Sequence, residues 1–299
     1  MTKRDTQATT PKQEERLKIG KPKQVAAGFA GISKSFGIGL GEAGMRRTWS
    51  AMRTVNKFDG YDCPGCAWPD PDGHRSGFEF CENGAKAFAT EATRKRVTPA
   101  FFAEHSVRSL SEQPDMWLDK QGRLTEPMYL REGSDYYEPI TWGDAFRLIS
   151  DSVRGLKTAD EAVLYTSGRT SNEAAFLWGT LARQIGTNNL PDCSNMCHES
   201  SGSGLSKTVG IGKGSVTLED LHEAEVIVIM GQNPGTNHPR MLSALEKCKK
   251  NGGKIVNVNP LNEAGTNTFV DPQSPMAMLT GGTKLEDLFL QVKINFGSS

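Results

Sequence analysis

The pattern of apolar and polar positions is clearest towards the C-terminal end of the chain. Glu225–Met230 is a nearly continuous apolar run, and Lys254–Val258 is a second apolar segment. Between them, from about Pro239 to Lys250, apolar residues recur at helical spacing: Met241, Leu242, Leu245 and Cys248. This order predicts a βαβ unit, and such apolar strands are typical of a parallel sheet covered on both faces.

Earlier segments predict further elements. Apolar periodicity predicts helices from about Trp142 to Leu156 and from Ser171 to Ile185, the second ending at Gly186. Thr170 and Glu173 form an apparent capping box for the second helix, whose expected inner face is Ala174, Leu177, Trp178, Leu181 and Ile185. Glu161–Thr166 predicts a buried strand, and residues 285–292 have a helical pattern.

The N-terminal part gives weaker signals. Residues 1–24 are polar and predict disorder, and residues 25–60 are Gly-rich and undecided. Tyr61–Cys81 is broken by Pro and Gly, so we expect a bound metal to order it. These shifts divide the chain into an N-terminal extension (1–57), a cysteine-bearing segment (58–140) and a partial α/β domain (141–299).

Composition excludes several classes of protein. The 35 basic and 35 acidic residues give no net charge, which disfavours nucleic-acid binding. No apolar run is long enough for a membrane span, and Arg46-Arg47 is not followed by the apolar segment of an export signal. We therefore expect a cytoplasmic protein without membrane contact. The six cysteines then indicate metal or redox chemistry more than disulfides.

The first candidate site is Cys63-Pro64-Gly65-Cys66, with Cys81 further along the chain. Two thiolates at this spacing can converge on one metal across a tight turn. The prolines after Cys66 argue against the helix that a thioredoxin-type dithiol requires. Zinc with His74 as fourth ligand and an iron–sulfur cluster are equal alternatives on spacing alone, beside an uncomplexed structural pair.

The second candidate is Cys197-His198. A cysteine here can be a nucleophile, a metal ligand or a small core residue, and the Ser and Gly residues from 200 to 204 favour a site. The third candidate is the loop Gly231–His238, where a helix N-terminus after a parallel strand can bind phosphate. This loop lacks both the G-x-G-x-x-G and P-loop patterns, which disfavours NAD and ATP. Arg169, in a similar turn, could pair with a phosphate.

Three blocks, Tyr61–Asp70, Asn195–Glu199 and Gly231–Arg240, occur in this order. Together they resemble the large subunits of prokaryotic molybdopterin oxidoreductases, the formate dehydrogenase and nitrate reductase superfamily. The likeness is greatest to a formate-dehydrogenase-like alpha-subunit branch and covers residues from about 58 to 293. It implies an α/β fold, with an irregular N-terminal iron–sulfur segment followed by a partial Rossmann-like parallel-sheet domain.

By this resemblance, Cys63, Cys66 and Cys81 are ligands of an iron–sulfur cluster, which is 4Fe–4S in the family. The usual third cysteine is missing here. Asn83 stands where the family has a lysine, with Lys86 nearby. Both departures leave the cluster type and its fourth ligand open.

The resemblance also makes Cys197 the protein ligand of molybdenum and His198 the neighbouring group that takes up a substrate proton. The metal would be carried by two molybdopterin guanine dinucleotides. The positions that match dinucleotide-binding segments are Gly231, Gln232, Asn233, Thr236, His238, Asn259 and Pro260, with Gly168 and Arg169 as further candidates.

The implied function is a two-electron redox reaction on a small-molecule substrate, formate-like by analogy, with electrons leaving through the cluster to a partner. One rival is a structural or regulatory zinc-binding α/β protein without redox catalysis. Another is a nicotinamide dehydrogenase, which the absent glycine fingerprint disfavours. Because such subunits are normally more than twice as long, we expect a fragment or truncated reading frame that is inactive alone.

Overall fold

A computed structural model describes residues 20–21, 23–66, 68–191 and 196–294. These residues form two compact units. The central unit is Lys95–Gly214, and the terminal unit combines Ile19–Arg94 with Ser215–Ser299. The disorder expected for residues 1–24 falls almost entirely outside the described residues. The domain boundaries at 57/58 and 140/141 stay predictions. They follow from sequence motifs, whereas the two units are defined by how compactly the chain packs.

The elements alternate between short strands and helices. The strands are β1 (Val25–Ala27), β2 (Arg96–Val97), β3 (Arg123–Leu124), β4 (Met128–Tyr129), β5 (Glu138–Pro139), β6 (Val226–Met230), β7 (Lys254–Asn259), β8 (Thr268–Val270), β9 (Thr283–Lys284) and β10 (Leu288–Gln291). The helices are α1 (Gly28–Glu42), α2 (Met45–Thr54), α3 (Glu82–Glu91), α4 (Pro99–Glu104), α5 (Val107–Ser111), α6 (Asp115–Asp119), α7 (Trp142–Arg154), α8 (Asn172–Ile185), α9 (Glu199–Thr208), α10 (Leu218–Glu223), α11 (Pro234–Asn237), α12 (Met241–Lys250), α13 (Ala264–Asn267) and α14 (Pro275–Thr280). Within the described ranges, no helix is both long and apolar enough to cross a membrane.

The terminal unit contains the predicted βαβ arrangement. Strands β6 and β7 pair in parallel and are connected through α11 and α12, and β10 adds a third parallel strand in the order β10-β7-β6. The predicted inward residues of α12 are buried against this sheet, in a core made of Ile227, Ile229, Met241, Leu242, Leu245, Cys248, Ile255, Phe269 and Leu285. The fold is therefore mixed α/β with a parallel sheet.

Only one face of β6 is covered among the described residues. Ile227 and Ile229 are buried, whereas Val226, Val228 and Met230 are each more than half exposed. The expectation of a sheet covered on both faces is thus corrected for this part of the chain. The apolar run was read correctly as a strand, but successive side chains of a strand point to opposite faces and only one face meets α12.

Residues 25–54, which the sequence left undecided, form β1, α1 and α2. Strand β1 pairs in parallel with β8, which pairs antiparallel with β9. Helix α1 packs against α2 and α3. Their second core contains Met52, Ala85, Phe88 and Ala89. This packing holds α3, and with it Cys81 at its N-terminus, in place.

In the central unit, the two predicted helices are confirmed as α7 and α8, and Gly186 ends α8 with a left-handed φ of 94°. The predicted capping box of Thr170 and Glu173 is wrong. The N-cap is Ser171, whose hydroxyl accepts from the N–H of Ala174. The expected inner face of α8 is also wrong for the described residues, because Leu177, Trp178 and Leu181 are exposed and Ala182 is the buried residue.

Two further predicted elements are corrected. Glu161–Thr166 is not a ladder-forming strand in the described part of the chain: a 3-10 turn ends at Glu161, and Leu164 donates its N–H to the carbonyl of Asn189 instead. Around 285–292 the expected helix is strand β10, because pairing with β7 satisfies its backbone groups. In the second case, pairing with a neighbouring strand decides between helix and strand.

Candidate functional site

The loop after β6 begins at a glycine in a left-handed conformation. Gly231 has a φ of 70°, and its N–H donates to the carbonyl of Val258 on β7 at 3.0 Å. A Cβ placed there would meet no atom within 4 Å, so the space in front of this backbone is open. Asn233 caps α11, its side-chain oxygen accepting from the N–H of Thr236 at 3.3 Å.

A line of polar groups joins this loop to the end of β7. The Nδ2 of buried Asn259 donates to the carbonyl of Gln232 at 3.2 Å. The Nε2 of Gln232 lies 3.0 Å from Nδ1 of His238. Since an amide NH2 group only donates, Nδ1 accepts and the proton of the neutral ring is on Nε2. Pro260 follows Asn259, and its carbonyl accepts from Gln291 at 3.0 Å. The structure therefore brings together the seven predicted binding positions of the terminal unit.

Within the cysteine-bearing segment, Cys63 and Cys81 lie beside Gly84 at the start of α3. A Cβ on Gly84 would lie 3.0 Å from Sγ of Cys63 and 3.9 Å from Sγ of Cys81, so glycine leaves room for both sulfurs. The N–H of Gly65 donates to Sγ of Cys63, and the N–H of Gly84 donates to Sγ of Cys81, both at 3.4 Å. Backbone N–H groups directed at sulfur stabilise thiolates and tune clusters.

Electrostatic coupling connects all three thiols. Burial raises the pKa of Cys81, the N–H of Gly84 opposes this rise, and the neighbouring Cys63 and Cys66 add to it. A raised pKa favours the neutral thiol of Cys81. A cation bound at this position would oppose that shift and favour the thiolate, which is the form of cysteine that binds metals.

Asn56 is a site residue that the sequence did not reveal. It is buried, has a left-handed φ of 55°, and accepts from the N–H of Cys63 at 2.8 Å through Oδ1. Its Nδ2 donates to the carbonyl of Glu79 at 2.7 Å. Asn56 therefore ties the arm that carries Cys63 to the arm that leads to Cys81. An Asn in a Gly-rich segment gives no sequence signal for such a role.

The cysteine-bearing segment lies directly beside the loop after β6. The Nδ2 of Asn83, two residues after Cys81, donates to the carbonyl of Thr236 at 2.6 Å. The rings of Trp68 and His238 have centroids 6.1 Å apart. A cavity of about 500 Å³ opens between these segments and α1, lined among others by Cys81, Asn83, Thr236, Phe36, Phe78 and Phe80.

The remaining predicted residues belong to the central unit. Cys197 is exposed, and His198 is the N-cap residue of α9 without a side-chain cap hydrogen bond. Gly168 and Arg169 lie in an exposed turn before α8, with the N–H of Arg169 donating to Oγ of Ser167 at 3.2 Å. Asn195 and Cys193 lie outside the described residues.

The geometry does not favour a site for a single metal ion. Across the described ranges, no three His, Cys, Asp or Glu side chains are grouped to hold one ion. His74, the expected fourth zinc ligand, is exposed and is not grouped with the cysteines. None of the five cysteines that the structure describes is in a disulfide. The sulfurs of Cys63 and Cys81 both lie beside Gly84, and Cys66 is likewise a thiol in this part of the described chain.

Comparison with known proteins identifies the family of the chain. Residues 123–276 match the sequence profile of the family described as Molybdopterin oxidoreductase, which is about half of the chain. The chain belongs to the molybdopterin oxidoreductase family. It is 54% identical over 281 residues to an uncharacterized oxidoreductase of Mycobacterium bovis, covering 94% of this chain and 36% of that protein.

Two other relatives are informative. Protein YdeP of Escherichia coli is 46% identical over 273 residues, covering 91% of this chain and 36% of YdeP. A Staphylococcus aureus protein provisionally named as a formate dehydrogenase is 33% identical over 145 residues, covering 47% of this chain and 14% of that protein. The chain thus spans little more than a third of the mycobacterial and Escherichia coli relatives that it matches.

Membership of the family implies an oxidoreductase with a molybdenum–pterin cofactor, and the terminal unit has features that fit part of it. The cavity volume of about 500 Å³ is within the usual range for ligand sites. The space in front of Gly231 is open, and the Asn83 amide has a second N–H and an oxygen besides its bond to Thr236, which suits a polar heterocycle or phosphate. Gly235 and Gly265 are in backbone contact, which fixes the loop, since a Cβ on Gly235 would clash with the Cα of Gly265.

Proposed function

We propose that this chain forms part of a formate-dehydrogenase-like alpha subunit. Its reaction would be a two-electron oxidation or reduction at molybdenum held by two pterin guanine dinucleotides, with electrons passing through a 4Fe–4S cluster. The observation that carries this proposal is the hydrogen bond from Asn83 to Thr236. It places the cysteine-bearing segment directly beside the loop after β6, as an electron path between a cluster and a pterin requires.

Cys63, Cys66 and Cys81 would hold the cluster. The sulfurs of Cys63 and Cys81 lie beside Gly84 and each receives a backbone N–H group, and Cys66 follows Cys63 by three residues. The family to which the chain belongs supports a cluster over zinc, and His74, the alternative zinc ligand, is exposed. The fourth iron would take a ligand other than a fourth cysteine of this segment.

The dinucleotide would be held at the carboxyl edge of β6 and β7 by Gly231, Gln232, Asn233, Thr236, His238, Asn259 and Pro260. The proton on Nε2 of His238 makes this ring a donor to a phosphate or a guanine oxygen. Asn233 already accepts from Thr236, so its cap sets the loop conformation. Gly168 and Arg169, before α8, are proposed as further dinucleotide-binding residues, where the guanidinium would pair with phosphate.

Cys197 is proposed as the molybdenum ligand, since a soft anionic sulfur suits this metal. The cofactor would accept the electron pair from the substrate. His198, next in sequence, would take up the proton that is released, because an imidazole nitrogen can act as a general base. The Staphylococcus aureus relative's name supports formate as the first substrate to test. The electron-accepting partner would be a separate redox protein or domain.

Element and cofactor analysis of anaerobically purified protein tests the cluster assignment. We expect iron with acid-labile sulfide in the parent protein, and its loss in Cys63→Ser. Cys248→Ala is the matched control, because this buried thiol belongs to the core of α12 and lies 3.3 Å from the carbonyl of Ala224. Zinc without sulfide would refute the cluster and favour the zinc-binding alternative.

Cys197 is tested in the complete polypeptide, with formate and a dye acceptor. Cys197→Ala is expected to lower turnover by at least about a thousandfold while the absorption spectrum of the cluster is unchanged. Cys197→Ser, which keeps a weaker oxygen ligand, should retain more activity than the alanine variant. Full turnover by Cys197→Ala would show that this cysteine does not bind the metal.

A further inference from the structure

One ion-pair network of the terminal unit has no part in the site as described so far. Nη2 of Arg240 lies 2.7 Å from Oε2 of Glu79, and its Nη1 pairs with Oδ1 of Asp70. The other oxygen of Asp70 pairs with Nη1 of Arg75 at 2.9 Å. The network therefore contains two guanidinium groups and two carboxylates, and its formal charge is balanced.

These charged side chains are largely withdrawn from solvent. The side-chain exposures are 15% for Arg240, 9% for Glu79 and 21% for Asp70. Burial alone would lower the pKa of Arg240, but hydrogen bonds from it to Asp70 and Glu79 and their negative charges outweigh this effect and raise the pKa. Pairs buried to this degree are screened weakly, and loss of one partner leaves an unpaired charge.

The position of the network in the sequence gives it a specific role. Asp70 lies four residues after Cys66, and Glu79 lies two residues before Cys81. Arg240 lies two residues after His238, at the N-terminal end of α12. One guanidinium thus joins both ends of the segment between Cys66 and Cys81 to the loop after β6.

Asn56 extends this connection to the third cysteine. The carbonyl of Glu79 accepts from Asn56, whose Oδ1 in turn accepts from the N–H of Cys63. Arg75 also donates to the carbonyl of Asn56 at 2.9 Å. The arms that carry the three thiols therefore share one set of bonds, and Arg240 is its link to the loop.

We propose that Arg240 is a positioning residue that fixes the three-thiol segment against the loop after β6, so that the sulfurs are pre-arranged before any cluster is bound. This deepens the proposed function, because the thiols are its cluster ligands. The claim about the arrangement of the thiols, however, concerns the polypeptide alone and can be tested without metal.

The test compares Arg240→Met, Arg240→Lys and Lys249→Met in metal-free, reduced protein. Lys249 is the matched control because it forms a comparable pair, 2.6 Å from Asp287 and with 16% side-chain exposure, on the same helix α12. The rate of alkylation of each thiol is read by mass spectrometry, with exposed Cys197 as the internal reference.

We expect Arg240→Met to raise the alkylation rates of Cys63, Cys66 and Cys81 by about tenfold, because local opening of the segment exposes the sulfurs. Lys249→Met should leave these rates unchanged even where it lowers thermal stability as much as Arg240→Met does. Arg240→Lys should give rates between those of the parent and of Arg240→Met, since lysine keeps the charge but cannot bind two carboxylates through a planar guanidinium. Unchanged rates in Arg240→Met, or an equal rise in Lys249→Met, would overturn the proposal.

A second readout separates this inference from the proposed function. In anaerobically reconstituted protein, Arg240→Met should lower iron retention and alter the electron paramagnetic resonance spectrum of the reduced cluster, and Lys249→Met should do neither. Altered alkylation rates in a protein that binds only zinc would uphold the role of Arg240 and refute the cluster. A normal cluster spectrum with unaltered alkylation rates in Arg240→Met would uphold the cluster and refute the role of Arg240.

Discussion

At the residue scale, Asn56 and Arg240 hold the stretch from Cys63 to Cys81 in place, Asn56 through two side-chain hydrogen bonds and Arg240 through ion pairs with Asp70 and Glu79. Cys63, Cys66 and Cys81 could be named because sulfur chemistry and spacing are visible in one dimension. Asn56 and Arg240 could not, because their partners are up to 170 residues away and pair only in the folded chain. Single residues with reactive side chains can therefore be predicted from the sequence, whereas the residues that hold them in position cannot.

Asn56 provides a test of this support at one position. Asn56→Gly keeps the left-handed φ of 55° but removes both side-chain hydrogen bonds, leaving buried groups unpaired. We expect it to lower the free energy of unfolding of the terminal unit by about 1–3 kcal/mol. Asn56→Ala should lower it by about 1 kcal/mol more, because alanine is strained at positive φ. Urea denaturation measures both, and equal values for the two variants would contradict a strained backbone.

Asp287 predicts a pH dependence of stability. Hydrogen bonds from Lys249 and from the N–H of Ile255 lower the pKa of Asp287 to about 2. A lowered pKa stabilises the folded state above the normal carboxyl pKa of about 4, and this stabilisation is lost as pH falls from there towards 2. Asp287→Asn should therefore be less stable than the parent by about 1 kcal/mol at pH 7, with the gap closing in acid. A gap that is the same at pH 7 and pH 3 would be inconsistent with this origin.

At the element scale, the βαβ unit around α12 was predictable and several other elements were not. Long apolar runs flanked by glycine identify β6, α12 and β7 because packing and periodicity agree there. The segment that forms β10 looks helical by spacing alone, and its pairing with β7 decides otherwise. Helix α1 could not be predicted from its glycine-rich sequence, because glycine is a poor helix former and α1 depends on packing against α2 and α3.

Two glycines of α1 make a matched test of that packing. A Cβ on Gly39 would lie 2.5 Å from the methyl group of Thr48 on α2, whereas one on exposed Gly37 would meet nothing within 4 Å. Gly39→Ala should destabilise the protein by about 1–3 kcal/mol through overpacking, and Gly37→Ala should stabilise it by up to about 1 kcal/mol through helix propensity. Thermal unfolding of both variants measures the difference. A stabilising Gly39→Ala would argue against the close approach of α1 and α2.

At the scale of the whole molecule, each unit presents large apolar side chains to solvent. On α7, Trp142, Phe146 and Ile149 recur at helical spacing and are each about 60% exposed. On β6, the outward side chains are also apolar. Exposed apolar surfaces of this kind bind partners or associate. The sequence pattern predicts a sheet covered on both faces, whereas in the described part of the chain only one face of β6 is covered.

The 299-residue chain by itself should therefore bind a hydrophobic dye and self-associate. Replacing exposed Phe146 with Ser removes the central apolar side chain of the α7 face, and should reduce dye binding and self-association. Replacing exposed Arg147 with Ser on the same helix is the control. Sedimentation analysis that finds a monomer with no dye binding would contradict an open apolar face.

We propose that the three cysteines of the terminal unit hold iron beside the loop after β6. Mössbauer spectroscopy of protein produced with iron-57 under anaerobic conditions detects the iron, its sulfur ligation and its nuclearity in one measurement. We expect the signals of a sulfur-ligated, multinuclear cluster that disappear in Cys63→Ser and persist in Cys248→Ala. A spectrum without cluster iron in the intact, folded protein would refute the assignment.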